Sequence, residues 1–164
     1  MKKSTLKFLL LAALFAVPCF SNAQNYTLAG GLRLGYPTSV SLKYFLSESS
    51  AVEGYVGTRG FSNYRWYNVS AAYQYHKPID EVDGLQYYFG AGLSVFFWNF
   101  DNFFLEDHST TTVGIQGYAG LDYTFESIPL ALSLDWVPTV FFNGFSSGLA
   151  GGYGTLGVRY IISE

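Results

Sequence analysis

The stretch YNVSAAYQYH, from Tyr67 to His76, decides the fold class. Its larger apolar residues recur at every second position. The residues between them are Asn68, Ser70, Ala72, Gln74 and His76. Because successive side chains of a β-strand point to opposite faces, a period of two predicts a strand with one apolar and one polar face.

The same period recurs in seven further segments and continues to the C-terminus. In chain order, the eight predicted strands are residues 26–36, 39–46, 52–59, 67–76, 85–97, 112–125, 130–136 and 155–162. The connections between them are short and rich in turn residues, which favours antiparallel neighbours. The sequence therefore predicts an all-β domain of eight antiparallel strands.

The polar faces of these strands distinguish between two kinds of barrel. A soluble barrel has apolar side chains inside and a charged surface, whereas a transmembrane barrel reverses the two. Here only 13% of residues are charged and 20% are aromatic. The small polar residues fit the narrow lumen of eight strands, which is too small for the large rings. We therefore predict a closed, antiparallel, up-and-down transmembrane β-barrel, with a soluble ligand-binding barrel as the alternative.

Aromatic residues near the strand ends are the second argument for a membrane barrel. With the N-terminus on the periplasmic side, one predicted lipid-facing belt contains Tyr26, Tyr44, Tyr75, Tyr87, Tyr123, Phe125 and Tyr160. A looser belt at the opposite ends contains Tyr36, Tyr67, Phe97 and Trp136. Rings with a polar tip favour the level of the lipid headgroups. An open sheet edge would leave amides unpaired in hydrocarbon, so the last strand is expected to pair with the first.

Residues 1–23 have the features of a cleavable signal peptide, which leaves residues 24–164 as one barrel domain. Three lysines precede an apolar run, and the small residues Ser21 and Ala23 provide a cleavage site. Cleavage would remove Cys19, the only cysteine, so a disulfide framework or thiolate metal site is excluded. The formal net charge of the whole chain is −3, without a basic run, which excludes nucleic acid as a partner.

The predicted barrel resembles the small eight-stranded outer-membrane barrels of the OmpA/OmpX type. The closest feature to a motif is Gly157, Tyr160 and Ile162, which looks like the terminal-strand signal that the barrel-assembly machinery reads. The chain departs from the group because it ends in Ser163-Glu164 rather than an aromatic residue, and because its first outer connection, 37–38, is short. The resemblance implies the outer membrane of a didermal bacterium, with outer-membrane lipid and the assembly machinery as partners and without a cofactor.

Seven charged residues are predicted to point into the lumen: Arg33, Lys43, Glu53, Arg59, Asp122, Asp135 and Arg159. Buried charges are tolerated only when they are paired, so we interpret these residues as a structural salt-bridge network that plugs the barrel. Lys43 and Glu53, on neighbouring strands, are expected to meet. The alternative is a narrow pore for small solutes with a charged conduction path, although barrels of this size are normally filled.

Any recognition function is expected in the outer loops, at residues 61–66, 98–109 and 142–151. The contact candidates are Trp66, Trp98, Phe100, Phe103 and Phe104. Such rings either mark a partner or lipid contact, or rest on the barrel rim. His108 and Ser109 supply atoms for a lipid-modifying membrane enzyme, but neighbours on an extended chain point to opposite faces. We therefore predict a structural or surface-interaction protein that is not an enzyme and has no catalytic or metal site.

Overall fold

The computed structural model describes residues 26–61, 64–100, 108–142 and 148–163, and the predicted signal peptide lies outside them. The strands within these ranges are β1 (Leu28–Gly35), β2 (Thr38–Ser47), β3 (Ser50–Phe61), β4 (Tyr64–Pro78), β5 (Leu85–Phe100), β6 (His108–Thr124), β7 (Leu130–Phe141) and β8 (Gly148–Ser163). In the described part of the chain, no helix is long and apolar enough to cross a membrane.

The eight strands form one closed barrel in which each strand pairs with the next in the chain. β1 also pairs with β8, from Leu28 opposite Ser163 to Gly35 opposite Thr155, and all pairs are antiparallel. Closure gives every strand a paired neighbour on both sides. The predicted all-β, closed antiparallel eight-stranded barrel is therefore confirmed.

The strands are tilted against the barrel axis, as the register shows. One row of paired residues runs round the barrel through Gly31, Ser41, Tyr55, Ser70, Ser94, Gly114, Phe141 and Gly148. The β8 partner of Gly31 is Arg159, which lies 159 − 148 = 11 residues beyond Gly148. Such a stagger is the geometric consequence of closing tilted strands into a barrel.

The two ends of the barrel differ in their connections. We call one the terminal end, because it carries both ends of the barrel segment together with the connections at 48–49, 79–84 and 125–129. The other, the loop end, carries the connections at 36–37, 62–63, 101–107 and 142–147. Strand length also varies round the barrel, from 8 residues in β1 to 17 in β6.

The wall of the barrel is apolar outside and polar inside. In β2, exposed and buried residues alternate: Val40 is 62% exposed and Leu42 is 52% exposed, whereas Lys43 is completely buried. The same alternation places leucines, valines and rings on the outer surface of the other strands. Exposed apolar side chains around buried charges are the reverse of a soluble barrel and match the pattern of a transmembrane one.

Two residues predicted for the aromatic belts face inward instead. Tyr26 is buried against Phe45, with ring centroids 4.9 Å apart. A register irregularity after Leu28 shifts the β1–β8 pairing, and such bulges interrupt the alternation of side chains. Tyr36 stacks on Tyr153 at 4.7 Å, because β1 ends at Gly35, whose positive φ breaks the alternation before Tyr36.

A third belt residue, Trp136, faces outward but lies within its strand rather than at the end. β7 was predicted to end at this residue, and it continues to Phe141. Pro138 sits in this extension, at a register irregularity where a ladder hydrogen bond is not needed. The indole of Trp136 covers Gly152, whose positive φ and missing side chain allow this close approach.

Candidate functional site in the barrel lumen

The barrel wall positions six of the predicted lumen charges inside the barrel. They are Arg33 of β1, Lys43 of β2, Glu53 of β3, Asp122 of β6, Asp135 of β7 and Arg159 of β8. Each is at most 4% exposed. Since each occupies an inward position of its strand, the narrow lumen brings side chains from opposite walls within reach of one another.

These six side chains form one continuous series of ion pairs, which we call the ion-pair chain. Arg33 binds Asp135 at 2.9 Å and Glu53 at 3.0 Å. The other carboxylate oxygen of Glu53 accepts a hydrogen bond from Arg159 at 2.6 Å. Asp122 lies 3.8 Å from Arg159 and 2.8 Å from the ammonium of Lys43. Negative and positive groups therefore alternate along its whole length.

Neutral side chains complete the coordination of the carboxylates. The Gln74 amide donates to Glu53 at 2.8 Å, and the Tyr88 hydroxyl donates to Asp135 at 2.5 Å. The Thr155 hydroxyl also bonds Asp135 and accepts a hydrogen bond from Arg33. Each carboxylate thus has partners beyond its ion pair, which offsets part of its lost hydration.

Aromatic rings and one hydroxyl support the cations. The guanidinium carbon of Arg33 lies 4.5 Å from the centre of the Tyr55 ring, and the Lys43 ammonium lies 4.6 Å from the centre of the Tyr88 ring. Such cation–π contacts stabilise a desolvated cation. Arg159 donates a hydrogen bond to Ser133 at 2.9 Å.

The ion-pair chain contains three positive and three negative groups, so its formal charge is zero. An unpaired charge in a low-dielectric interior is very costly, and removing one partner of a buried pair costs about 3–5 kcal/mol. Each carboxylate and each cation depends on the others for compensation. The arrangement therefore links opposite walls of the barrel across the lumen.

A layer of rings closes the lumen toward the terminal end. We call Tyr26, Phe45 and His76 the terminal-end layer. His76 lies 4.9 Å from Phe45 and stacks on Tyr88 at 4.8 Å, and all three members are at most 9% exposed. Burial raises the pKa of the Tyr26 hydroxyl, which precedes β1, well above its ordinary value. This hydroxyl therefore stays protonated and adds no charge to the lumen.

A larger aromatic group, the loop-end layer, closes the opposite side. It consists of Trp66, Phe96, Trp98 and Phe141. Trp66 lies 5.3 Å from Phe96 and 5.5 Å from Trp98 between ring centroids, and the indole of Trp98 donates to Thr112 at 3.1 Å. The ion-pair chain is thus enclosed between two layers of packed rings.

The structure corrects two expectations about the lumen charges. Lys43 and Glu53 are register partners, but the ammonium of Lys43 pairs with Asp122. Both oxygens of Glu53 are already occupied by arginines. Arg59 lies apart from the ion-pair chain, with its guanidinium 4.0 Å from the centre of the Tyr36 ring. It is six residues from Glu53 along β3, about 20 Å at the usual rise per residue, which is beyond reach.

Two of the predicted outer-loop contacts belong to the barrel interior instead. Trp66 is completely buried and Trp98 is 9% exposed. The prediction was wrong because β4 and β5 extend further toward the loop end than the alternation indicated. Phe100 is the last residue of β5, and Phe103 and Phe104 lie outside the described residues, so their contact role stays a prediction.

The three residues of the predicted assembly signal all lie in β8. Tyr160 pairs with Gly30 and Leu130 across the two neighbouring strands, and Ile162 is 57% exposed on the outer surface. Gly157 lies against Ser133 and Arg159, so it leaves room for the ion-pair chain. Their role in assembly stays a prediction.

Several residues of the site were not singled out from the sequence. Gln74 was assigned only to a polar face, and Tyr55 and Tyr88 were not named, yet each of the three contacts a member of the ion-pair chain. Each of them occupies an inward-facing position of its strand, next to strands that carry charged residues. That position was the signal in the sequence from which their contacts could have been predicted. Within the described ranges, no group of three or more His, Cys, Asp or Glu side chains is placed to hold a metal ion.

Solved structures with the same fold identify the architecture. No protein-family model matches the sequence, and no curated protein matches it either. The chain is similar to the N-terminal β-barrel domain of Pseudomonas aeruginosa OprF, with a TM-score of 0.60, 19% identity, and coverage of 80% of this chain and 91% of that one. The fold is that of the small outer-membrane barrels.

Two further solved structures are also similar in fold to this chain. Neisserial surface protein A matches with a TM-score of 0.61 and 14% identity, over 82% of this chain and 93% of that chain. The attachment invasion locus protein Ail of Yersinia pestis matches with a TM-score of 0.50 and 15% identity, over 81% of this chain and 92% of that chain. The resemblance to eight-stranded outer-membrane barrels that the sequence indicated is therefore confirmed at the level of the fold.

Proposed function

We propose that this protein is an integral outer-membrane β-barrel with a structural or surface-interaction role and a lumen closed by its own side chains. The observation that carries the proposal is the polarity of the wall: apolar residues cover the outside, while Arg33, Glu53 and Asp135 are enclosed. In water this arrangement would expose a large continuous apolar surface, which soluble monomers rarely do. In a bilayer the same apolar surface contacts the acyl chains of the lipids.

Insertion into a membrane is the first property to test. A folded barrel resists SDS at room temperature and unfolds on boiling, so the two samples should migrate differently on a gel. We expect this shift together with recovery in the outer-membrane fraction and a need for detergent during purification. A protein that fractionates with soluble proteins and stays monodisperse without detergent would contradict the proposal and favour a soluble ligand-binding barrel.

The ion-pair chain and the two aromatic layers support the proposal of a closed lumen. A conducting path would have to pass the Arg33–Glu53 and Arg159–Glu53 pairs, at 3.0 and 2.6 Å, and then the rings of Trp66 and Phe96. Planar-bilayer recordings of the purified barrel should show no stable single-channel openings. Reproducible openings of defined size would favour the narrow pore for small solutes.

A surface-interaction role is supported by two of the structural neighbours, which are described as a surface protein and an attachment invasion locus protein. For this chain, the test is a double substitution in the outer loop, Phe103→Ser with Phe104→Ser. We expect weaker binding to a partner or a cell surface with an unchanged heat-modifiable shift. Unchanged binding would favour the alternative in which these rings rest on the barrel rim.

We also propose that the protein is not an enzyme. Among the described residues, the six charged groups of the ion-pair chain are committed to one another, and Ser133 and Thr155 bond to members of that chain. The ring nitrogens of His76 face the amide oxygens of Gln74 and Gln86. His108 and Ser109 are consecutive residues at the start of β6, and adjacency in sequence alone does not provide the hydrogen-bonded nucleophile, base and orienting group that such catalysis needs. Deletion of the gene should leave the mass of lipid A unchanged, and a mass shift would overturn this proposal.

A further inference from the structure

The height of the apolar outer surface differs between opposite sides of the barrel. On β2 the outward apolar residues run from Val40 to Leu46, and on β3 only from Val52 to Val56. On β5 they run from Leu85 to Phe97. With a rise of about 3.4 Å per residue and a strand tilt of about 40°, these spans correspond to roughly 16, 10 and 31 Å along the membrane normal.

The short spans lie together on one side of the barrel. On β1 the outward apolar residues run from Leu28 to Leu34. β1, β2 and β3 are consecutive in the closed sheet, and we call them the short side. β8 is not part of it, because its run from Leu156 to Ile162 is followed toward the loop end by the exposed Leu149, the register partner of Val140. β5, β6 and β7 form the tall side, where outward apolar residues on β7 run from Leu130 to Val140 and the exposed Phe142 follows the strand.

Polar residues mark both limits of the apolar surface on β2 and β3. Thr38 and Thr58 are exposed register partners just beyond Val40 and Val56. At the other limit, Ser50 pairs with Ser47 and accepts a hydrogen bond from Tyr73 at 2.9 Å. Moving these hydroxyls and the adjoining hairpin backbone into hydrocarbon would cost free energy, so the surface of the short side fits a thin layer of acyl chains.

Tilting the whole barrel does not remove this difference. A tilt raises one side and lowers the other, but it leaves the apolar height of each side unchanged. A bilayer adjusts to a short apolar surface by thinning next to it. The usual apolar band of an outer-membrane barrel is about 25 Å tall, so the tall side matches a bilayer and the short side does not.

We propose that the short side of the barrel binds a locally thinned lipid layer, so that the bilayer is thinner beside β1–β3 than beside β5–β7. This inference rests on the proposed membrane location. The partner is the phospholipid bilayer itself, recognised through the height of the apolar surface.

The depths of four single labels test the proposal directly. With Cys19→Ser as background, a nitroxide is attached to cysteine at Ser50 or Thr58 on the short side, and at Phe89 or Phe97 on the tall side, in bilayers with 18-carbon chains. The members of each pair are eight residues apart, about 21 Å along the normal. Collision with oxygen and with a water-soluble nickel complex reports the depth of each label.

We expect both labels of the short side to be accessible from water. On the tall side, the label at Phe89 should lie in hydrocarbon, and only the label at Phe97, in the predicted aromatic belt, should approach the headgroups. An unthinned hydrocarbon core of about 30 Å cannot place two points 21 Å apart at both headgroup layers. Equal depths for the two pairs would overturn the proposal. Failure of the barrel to enter any bilayer would instead contradict the membrane location itself.

A second experiment changes the apolar height. The double variant Thr38→Leu/Thr58→Leu extends the short side toward the loop end, and Thr38→Ser/Thr58→Ser is the matched control. Folding yield is measured in vesicles of phosphatidylcholine with 12-, 14- and 18-carbon chains. We expect the yield in the longest chains, relative to the shortest, to rise several-fold for the leucine variant only. The same ratio in both variants would contradict the proposal.

Discussion

Replacing Glu53 with Gln removes one negative charge from the ion-pair chain while keeping the shape of the side chain. Glu53 is completely buried and bonds Arg33, Arg159 and Gln74. The substitution leaves two buried guanidinium groups sharing fewer carboxylates, and the interior gains a net charge of +1. Removing one partner of a buried pair costs about 3–5 kcal/mol, and we expect a loss of unfolding free energy in this range.

A second substitution restores neutrality and makes the prediction sharper. In Glu53→Gln/Arg159→Gln, the Arg33–Asp135 pair at 2.9 Å and the Lys43–Asp122 pair at 2.8 Å both remain. The double variant should therefore lose less free energy than the sum of the two single variants. Coupling of about 1–3 kcal/mol is typical for residues that share a network.

The measurement is reversible urea unfolding of the barrel in lipid vesicles, followed by tryptophan fluorescence. Glu48→Gln, on an exposed turn, controls for the loss of a carboxylate as such. We expect a lower midpoint with an unchanged slope for Glu53→Gln and almost no shift for the control. A loss below about 1 kcal/mol for Glu53→Gln, or simple additivity in the double variant, would refute the role assigned to the ion-pair chain.

Two further predictions concern packing. Gly31→Ala should destabilise the barrel by about 1–3 kcal/mol, because the added Cβ would overlap the backbone of Val158. Gly54→Ala, where the added Cβ meets open space on the outer face, should change the unfolding free energy by less than about 0.5 kcal/mol. Trp66→Ala should lower the unfolding free energy by about 3–5 kcal/mol, because it opens a cavity in the loop-end layer. Trp136→Ala should lower it less, because lipid can fill the space left on the outer face. Equal effects within either pair, measured by the same urea unfolding, would contradict the packing described.

The fold could be predicted because a transmembrane barrel has a simple repeating rule. Alternation of side chains fixes which residues face lipid, and hydrocarbon forces every strand edge to pair. The parity of Arg33, Glu53 and Asp135 was therefore sufficient to place them inside. Where a bulge or a glycine interrupts the period, as before Ala29 and after Gly35, the rule assigned Tyr26 and Tyr36 to the wrong face.

The pairing of charges was harder to predict than their location. Lys43 and Glu53 are neighbours in the sheet, but their partners are selected across the lumen. That choice depends on strand tilt and stagger, which the sequence pattern does not encode directly. Strand ends were also underestimated near Trp66 and Trp98, because these large rings occupy inward positions, where the pattern predicts small polar residues.

The central claim, that the apolar face of the wall contacts lipid, can be tested with the native tryptophans. Trp136 is 54% exposed on the outer face, whereas Trp66 and Trp98 lie inside at 0% and 9%. In the variant Trp66→Phe/Trp98→Phe, fluorescence comes from Trp136 alone; Trp136→Phe reports the two interior rings. Phosphatidylcholine with brominated acyl chains should quench the first variant strongly and the second weakly. Quenching of Trp136 by aqueous iodide, without quenching by brominated lipid, would contradict the account.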